Sequence, residues 1–233
     1  EVLTHGNQFK PVVSIGGNKD QEVYEVKASG LLPTIVTAEH PYYVRKMERR
    51  WNSKTRSNYR HFSEPEWVEV KDLKSDDFLA IPVLQTSENT LDLTDEECFI
   101  IGRYIADGHT AKHYRNSEGR PNDRHWQLIL SVGSNKVDDF TSQISESHYS
   151  LLAHSKNVHR AVFSSKRLVD IVEAHCGCGA ENKYLSTTLL NLPADKLKRV
   201  IDGYVSGDGW LRGGVEYRVT TVSVELVRSL QLA

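Results

Sequence analysis

Two stretches of this sequence, residues 100–108 and 201–209, repeat one pattern: a glycine, three residues, a small residue and then Asp-Gly. An internal repeat constrains the architecture of a chain more than its composition does, because each copy has to form the same local structure. We expect two copies of one structural unit that pack against each other, in a monomer with pseudo-twofold symmetry.

The spacing within each stretch predicts a helix that approaches another helix closely. Residues four apart lie on one face of a helix, so Gly102 shares a face with Ala106, and Gly203 shares a face with Gly207. A face of small residues lets two helix backbones come close together. The two helices are therefore expected to cross at Gly102 and Gly203.

An aspartate ends each predicted helix, and a glycine follows it in the position of a C-cap. Asp107 and Asp208 would lie at the negative end of a helix dipole, where a carboxylate is disfavoured. If the helices cross, both carboxylates reach one point and repel each other, unless a divalent cation lies between them. A local rule that is broken twice in the same way indicates a functional site.

The repeated pattern resembles the LAGLIDADG motif of homing endonucleases. Aligned on the final Asp-Gly, the first copy is IIGRYIADG and the second is IDGYVSGDG. Ile105 and Ser206 replace the first acid of the motif, a position that usually has a structural role. The resemblance implies site-specific, double-strand cleavage of DNA by metal-dependent hydrolysis of phosphodiester bonds.

The same resemblance implies which residues take part. Asp107 and Asp208 would be catalytic and would bind Mg²⁺, which activates water and stabilises the leaving oxygen. Lys183 lies in a stretch, residues 181–190, that resembles the family's lysine block ahead of the second motif. Its ammonium would polarise the water or stabilise charge on the phosphate. The partner would be a double-stranded DNA target site, held in the major groove by a saddle of antiparallel strands.

Candidate DNA-contacting residues come from two regions. The strands expected after the first motif contribute Lys112, Arg115, Arg124 and Gln127. The net charge of −2 does not favour nucleic acid, but phosphate attraction needs only a local basic patch. Residues 45–61 form such a patch, with one acid and two interleaved aromatic residues, or else a solvated loop; its basic residues are Arg45, Lys46, Arg49, Arg50, Lys54, Arg56 and Arg60.

Residues 1–86 have the pattern of an all-β module. Turn signals such as Gly16-Gly17-Asn18 separate short apolar runs that are typical of strands. The predicted strands cover residues 11–15, 22–26, 34–37, 67–70 and 78–81.

This first module resembles the Hint domain of inteins, through residues 37–41 and 67–77. The resemblance implies that Thr37 and His40 polarise the amide bond before the intein, so that the first residue of the intein attacks it. The exteins, which are the flanking segments of a host protein, would be further partners. The chain begins with Glu1 rather than Cys or Ser and lacks a terminal His-Asn pair. We therefore expect an interior fragment that cannot splice and is weak or inactive as a nuclease.

The expected fold class is α+β with two domains. The incomplete Hint-like module covers 1–86, a connector covers 87–94, and the endonuclease domain covers 95–233. Its first repeat, 95–192, has the order αββαββα, with helices at 95–107, 136–147 and 166–175, and the second repeat, 193–233, is truncated. A capping box at Thr94 and Glu97 opens the first helix.

Two other functions stay open at this point. One is a non-catalytic DNA-binding regulator on the same scaffold, and the other is an intein that splices while its endonuclease is degenerate. No run of 18 apolar residues predicts a membrane span. Three cysteines give no disulfide framework and suit a reducing cytosol, so we expect a cytoplasmic protein. The segment from His175 to Cys178 has too few ligands for a typical metal cluster.

Overall fold

The computed structural model has two compact units, Glu1–Gln85 and Thr86–Ala233. It describes residues 2–4, 6, 9–17, 19, 21–29, 31–81, 89–117, 120–213 and 216–233, except for the side chains of 3, 9, 113–117, 120–124 and 211. No α-helix in this described part of the chain has the length and hydropathy of a transmembrane segment.

The described residues of the first unit form short antiparallel strands and one 3₁₀ turn, Val70–Asp72. Three separate hairpins pair β1 with β2, β3 with β4 and β6 with β7, while β5 lies between β8 and β9. Among the described residues of this unit, the buried apolar ones are Val44, Val68 and Val70. The strands are β1 Val2–Leu3, β2 Phe9–Lys10, β3 Val23–Val26, β4 Thr34–Thr37, β5 Pro41–Arg45, β6 Met47–Asn52, β7 Ser57–Phe62, β8 Glu66–Glu69 and β9 Phe78–Leu79.

Four of the five strands predicted in this unit are present. The expectation for residues 11–15 is wrong, because they form no strand and Val13 and Ile15 are each 93% exposed. Strands β1, β2, β5, β6 and β7 were not predicted. Both faces of β6 and β7 are largely exposed, so these strands lack the alternation of apolar and polar residues that reveals a strand in a sequence.

The second unit begins with the predicted order αββαββα and continues with a second helix–strand–strand–helix segment. A capping box at Thr94 and Glu97 starts α1, as expected. The elements are α1 Asp95–Asp107, β10 Gly108–Ser117, β11 Arg120–Gly133, α2 Val137–Ser142, β12 Ser150–Ser155, β13 Val158–Phe163, α3 Lys166–His175, α4 Thr187–Leu190, α5 Ala194–Asp208, β14 Gly209–Arg212, β15 Glu216–Val219 and α6 Val224–Leu230. The fold is thus a mixture of helices and small antiparallel sheets.

Some elements of this unit differ from the prediction. Helix α2 ends at Ser142 rather than at 147. The sequence predicts strands over 109–114 and 126–132 with a polar loop between them, whereas β10 continues to Ser117 and β11 starts at Arg120, because their backbones continue to pair. Strand β14 was not predicted, since four residues give little periodic signal.

The main sheet has the order β10–β11–β13–β12 and is antiparallel throughout. One of its faces is covered by helices: Leu128, Leu130 and Val132 of β11 are at most 1% exposed, and α1, α2 and α3 contact this strand. Side chains alternate along a strand, so the neighbouring residues of β11 lie on the other face. That face is turned away from the helices.

The sequence repeat is also a structural repeat. In each copy a helix ends at the aspartate and the following glycine starts a strand that pairs with the next strand. Gly108 pairs with Leu130, and Gly209 pairs with Val219 in the equivalent position. The expectation of two copies of one unit is therefore met for the helix, the glycine and the first strand pair.

Candidate active site at a helix crossing

Helices α1 and α5 cross at the two glycines of the repeat. A Cβ atom on Gly102 would lie 2.0 Å from the carbonyl oxygen of Val200, and one on Gly203 would lie 2.2 Å from that of Phe99. Such distances are far inside van der Waals contact, so only glycine fits at either position. The close crossing predicted from the spacing is present.

The same packing brings the two motif aspartates to one end of the helix pair. Asp107 and Asp208 are the last residues of α1 and α5. A Cβ atom on Gly207 would lie 3.2 Å from Oδ2 of Asp107, so this carboxylate lies against the turn that carries Asp208. Burial raises the pKa of Asp208, and the charge of Asp107 raises it further, whereas Arg103 and Lys136 lower it. Asp107 and Asp208 are therefore within electrostatic reach of each other.

The glycines after the aspartates end their helices differently from the prediction. Gly108 and Gly209 have φ angles of −104° and −133°, rather than the left-handed conformation of a common C-cap glycine. Space requires glycine here: a Cβ on Gly108 would lie 2.5 Å from Cα of Tyr104, and one on Gly209 would lie 2.7 Å from the carbonyl oxygen of Arg218. Each aspartate is consequently held between the end of a helix and the start of a strand.

Arg103 is a buried cation beside the carboxylates that the sequence analysis did not single out. Its side chain is 3% exposed, and Nη2 donates to the carbonyl of Ser131 at 2.6 Å and lies 3.4 Å from Oδ2 of Asp107. Burial lowers the pKa of Arg103, while Asp107, Asp208 and Asp139 raise it. Its Nε has no hydrogen-bond partner among the described residues. A charged residue inside an apolar helix motif was the available sequence signal.

Lys136 is a second cation that sequence reasoning missed. Its Nζ donates to the carbonyl of Ser206 at 2.8 Å and to that of Gly207 at 3.4 Å. These carbonyls belong to the last turn of α5, which has no intrahelical donors for them. A lysine in this place also interacts favourably with the negative end of the helix dipole.

Lys183 lies beneath the end of α1 rather than in the open. Its side chain is 4% exposed, and Nζ donates to the carbonyls of Tyr104 at 2.8 Å and Gly108 at 3.2 Å. The ammonium also lies 3.1 Å from the centroid of the Tyr104 ring. Burial lowers the pKa of Lys183 to about 8. In this structure the residue binds one carbonyl in the last turn of α1 and one at the start of β10, and its catalytic role stays a prediction.

The chemistry of the site fits a hard divalent cation. Mg²⁺ is usually held by one or two carboxylates and keeps waters or substrate phosphates as its other ligands. The described residues contain no group of three or more His, Cys, Asp or Glu that could hold a metal, so water or phosphate would have to complete the shell. An open pocket of about 310 Å³ lies beside one of the two carboxylates, that of Asp208; its other lining residues are Ile105, Ala106, Ala180, Thr220, Thr221 and Val222.

The main sheet separates two of the predicted DNA-contacting residues. Gln127 lies on the face turned away from the helices, whereas Lys112 lies on the same face as the buried Leu128. The Nζ of Lys112 forms a 2.6 Å ion pair with Glu173 of α3. Strand parity therefore places Lys112 on the side of the helices and Gln127 on the opposite face, and contact of either residue with DNA stays a prediction.

Two further predicted residues, Arg115 and Arg124, lie in β10 and β11, and their side chains fall outside the described residues. Arg160 of β13 was missed. It pairs with Ser131 and so lies on the face turned away from the helices, where its Nη2 is 3.1 Å from Nε2 of His154. Burial lowers the pKa of His109, and the charge of Arg160 lowers it further.

In the first unit, a turn joins the two residues of the predicted splicing motif. Thr37 ends β4, and the amide of His40 donates to its carbonyl at 3.1 Å. The backbone carbonyl of His40 accepts from the amide of Val70 at 3.0 Å. The imidazole ring of His40 meets the ring of Tyr42 edge-on, with centroids 5.4 Å apart. The turn holds the two residues near each other, and their joint action on an amide stays a prediction.

The predicted basic patch also lies in the first unit. Arg45 is the last residue of β5, and the adjacent Lys46 forms a 2.8 Å ion pair with Glu66. The other five basic residues lie on the β6–β7 hairpin and its turn: Arg49, Arg50, Lys54, Arg56 and Arg60.

Comparison with known proteins gives distant relatives. No family model matches the chain. An iron–sulfur cluster assembly SufBD family protein of Mycobacterium tuberculosis is 28% identical over 207 residues, which is 81% of this chain and 23% of that protein. The ATP-dependent DNA helicase Hel308 of Thermococcus kodakarensis is 24% identical over 291 residues, 100% of this chain and 25% of the helicase. A DNA polymerase of a Thermococcus species is 24% identical over 145 residues, 61% of this chain and 8% of the polymerase.

This chain thus spans about a quarter or less of the length of these relatives. Among solved structures, the homing endonuclease I-DmoI in complex with DNA and calcium is similar with a TM-score of 0.33 and 12% identity. The likeness covers 53% of this chain and 60% of that chain. Mesophilic variants of I-DmoI give the same values.

Proposed function

We propose that the second unit is a metal-dependent nuclease that cuts double-stranded DNA at a specific site, with Asp107 and Asp208 as its catalytic carboxylates. The observation that carries this proposal is the convergence of the two aspartates at a helix crossing that only glycine permits. Burial and the charge of Asp107 both disfavour ionised Asp208. A bound divalent cation would relieve both costs, which makes the arrangement understandable as a functional site.

A bound Mg²⁺ would supply a hydroxide at neutral pH and stabilise the charge on the leaving oxygen. The carboxylates of Asp107 and Asp208 would hold it together, and each aspartate would serve the cleavage of one DNA strand. Arg103 holds Asp107 through Nη2 and offsets part of the negative charge. Lys136 binds carbonyls in the last turn of α5, and Lys183 binds those of Tyr104 in α1 and Gly108 in β10. The two lysines thereby hold the helix ends that carry the aspartates. Arg103 and Lys136 act as positioning residues, and the catalytic role of Lys183 stays a prediction.

The face of the main sheet that is turned away from the helices is the proposed DNA-contacting surface of this unit. Gln127 and Arg160 lie on that face, and both side chains can donate hydrogen bonds to base edges or phosphates. Specificity for a target site would come from such contacts, while phosphate contacts fix the position of the duplex.

Substitution of Asp107 by Asn tests the nuclease, because it removes the charge and keeps the size of the side chain. In the full-length natural protein, cleavage of a plasmid library with a randomised insert, in Mg²⁺, should fall by orders of magnitude. The matched control is Asp202→Asn, which changes another aspartate of α5 that pairs with Lys198 at the surface. If Asp107→Asn cuts at the rate of the parent, the aspartates are structural, and a DNA-binding regulator becomes the better account.

A second function is proposed for the first unit: a splicing module that works on exteins through Thr37 and His40. Its support is the pattern of relatives, in which one segment matches a quarter or less of three proteins with unrelated names. A self-contained insert that moves between hosts would give that pattern. In the natural precursor, His40→Ala should cause unspliced protein to accumulate on a gel, whereas His61→Ala in β7 should not. Equal splicing of both variants would contradict this role.

A further inference from the structure

The β6–β7 hairpin is an isolated ribbon whose two faces are both open. Every residue from 48 to 60 is exposed except Asn52, which is half-buried. At the base of the ribbon, Phe62 meets Phe78 edge-on with ring centroids 5.0 Å apart. A single two-stranded hairpin is marginally stable in water, so the ribbon is not explained by what it adds to a core.

The two faces of the ribbon differ in charge. On one face Arg49 lies directly opposite Arg60, and Trp51 follows on the same side; this is called the arginine face below. On the other face Arg50 forms a 3.0 Å ion pair with Glu48. The single acid of the ribbon therefore neutralises the other face and leaves the arginine face without compensation.

The uncompensated charge is costly to the free protein. Like charges directly opposite each other destabilise a strand pair. Neither Arg49 nor Arg60 has an ion-pair partner among the residues that the structure describes. The turn between β6 and β7 adds two more cations, Lys54 and Arg56. Its backbone is held by Asn52, whose Oδ1 accepts from the amides of Lys54 at 2.9 Å and Thr55 at 3.3 Å.

We propose that the arginine face of this ribbon binds duplex DNA in its major groove and on the flanking phosphates. Each strand has six residues and is therefore about 20 Å long at ~3.4 Å per residue. The major groove, about 12 Å wide, admits a two-stranded ribbon. Arginine binds phosphates and guanine edges with two parallel hydrogen bonds. The deep, narrow major groove of A-form RNA would not admit the ribbon, which favours DNA as the partner.

This inference rests on the proposed function only in its choice of DNA as the polyanion. The test uses the full chain carrying Asp107→Asn, so that DNA is not cut, and a fluorescent 40-bp duplex titrated at 50 to 200 mM KCl. Affinity for DNA falls as salt rises, with a slope of log affinity against log salt of about −0.9 for each phosphate contact. Arg49→Gln with Arg60→Gln should make this slope less steep by about 1.8, because two phosphate contacts are lost. Across this fourfold range of salt, the parent should lose about tenfold more affinity than the double variant.

The matched control removes two other exposed cations of the first unit, Lys27 and Lys71, which pair with Glu25 and Glu69. Lys27→Gln with Lys71→Gln should leave the slope unchanged. Lys54→Gln with Arg56→Gln, at the turn, should make it less steep as the arginine pair does, and provides a second test if the first variant unfolds. An unchanged slope in both ribbon variants, or equally tight binding of duplex RNA, would overturn the inference.

Failure of the ribbon and failure of the nuclease are distinguishable. If the ribbon does not bind DNA, the arginine variants bind as the parent does while Asp107 still controls cleavage. If the nuclease proposal fails, Asp107→Asn and Asp208→Asn cut at the parental rate, while the salt slope still depends on Arg49 and Arg60.

Discussion

The glycine crossing gives the sharpest prediction of a change in stability. A Cβ on Gly102 would lie 2.0 Å from the carbonyl oxygen of Val200, whereas even favourable carbon–oxygen contacts are about 3.3–3.6 Å long. The helices would have to separate by more than about 1 Å. Such overpacking costs about 1–3 kcal/mol, and a clash with backbone belongs at the upper end. Alanine returns about 1 kcal/mol through its helix propensity. Gly102→Ala should therefore lose about 2 kcal/mol, and Gly102→Leu several.

Urea unfolding followed by circular dichroism at 222 nm measures this loss, because the α-helices of the described residues all lie in the second unit. Gly203→Ala pushes on the same crossing from the other side, so the double alanine variant should cost less than the sum of the single variants. The control is Lys198→Ala on the exposed surface of α5, with an expected change within about 0.5 kcal/mol. Parental stability of Gly102→Ala, or full additivity of the two alanines, would refute the reasoning.

Three other predictions concern the aspartates, the buried lysine and the sheet. Because the pKa of Asp208 is raised in the folded state, the folded chain binds more protons than the unfolded chain while this carboxyl titrates. The free energy of unfolding therefore falls as pH rises through that range. Asp208→Asn should accordingly raise the melting temperature of the metal-free protein at pH 7. The pKa of Lys183 is lowered to about 8, so between pH 8 and about 10.5 the unfolded chain binds more protons than the folded chain. The free energy of unfolding should therefore rise with pH in this range. Urea titrations of Lys183→Met should lack this rise. Gln127→Ala should weaken DNA binding in fluorescence titrations, whereas Lys112→Met should not.

The sequence predicted the parts of the site that depend on helical spacing. Gly102 and Gly203 cross as expected, because residues four apart share a helix face in any context. The glycines after the aspartates were identified for the wrong reason, since Gly108 is required by the nearness of Tyr104 and not by a left-handed turn. A sequence pattern gives the residue type at such a position, but it does not show which neighbour lies there.

Features that depend on long-range packing could not be predicted. The burial of Lys183 follows from its contact with carbonyls 75 and 79 residues away in sequence. The side of the sheet on which Lys112 lies follows from the parity of β10, and an error of one residue in register reverses it. The β6–β7 ribbon was missed as a strand pair because its exposed, charged residues do not alternate with apolar ones.

The central claim is that Asp107 and Asp208 together hold a divalent cation, and binding of Mn²⁺ followed by electron paramagnetic resonance tests it without knowledge of the DNA target. The parent and the Asp202→Asn control should bind Mn²⁺ alike, and added Mg²⁺ should displace it. Asp107→Asn with Asp208→Asn should lose this binding while keeping the circular dichroism of the parent. If the double variant binds Mn²⁺ as the parent does, the two carboxylates are not a metal site, and the nuclease account fails.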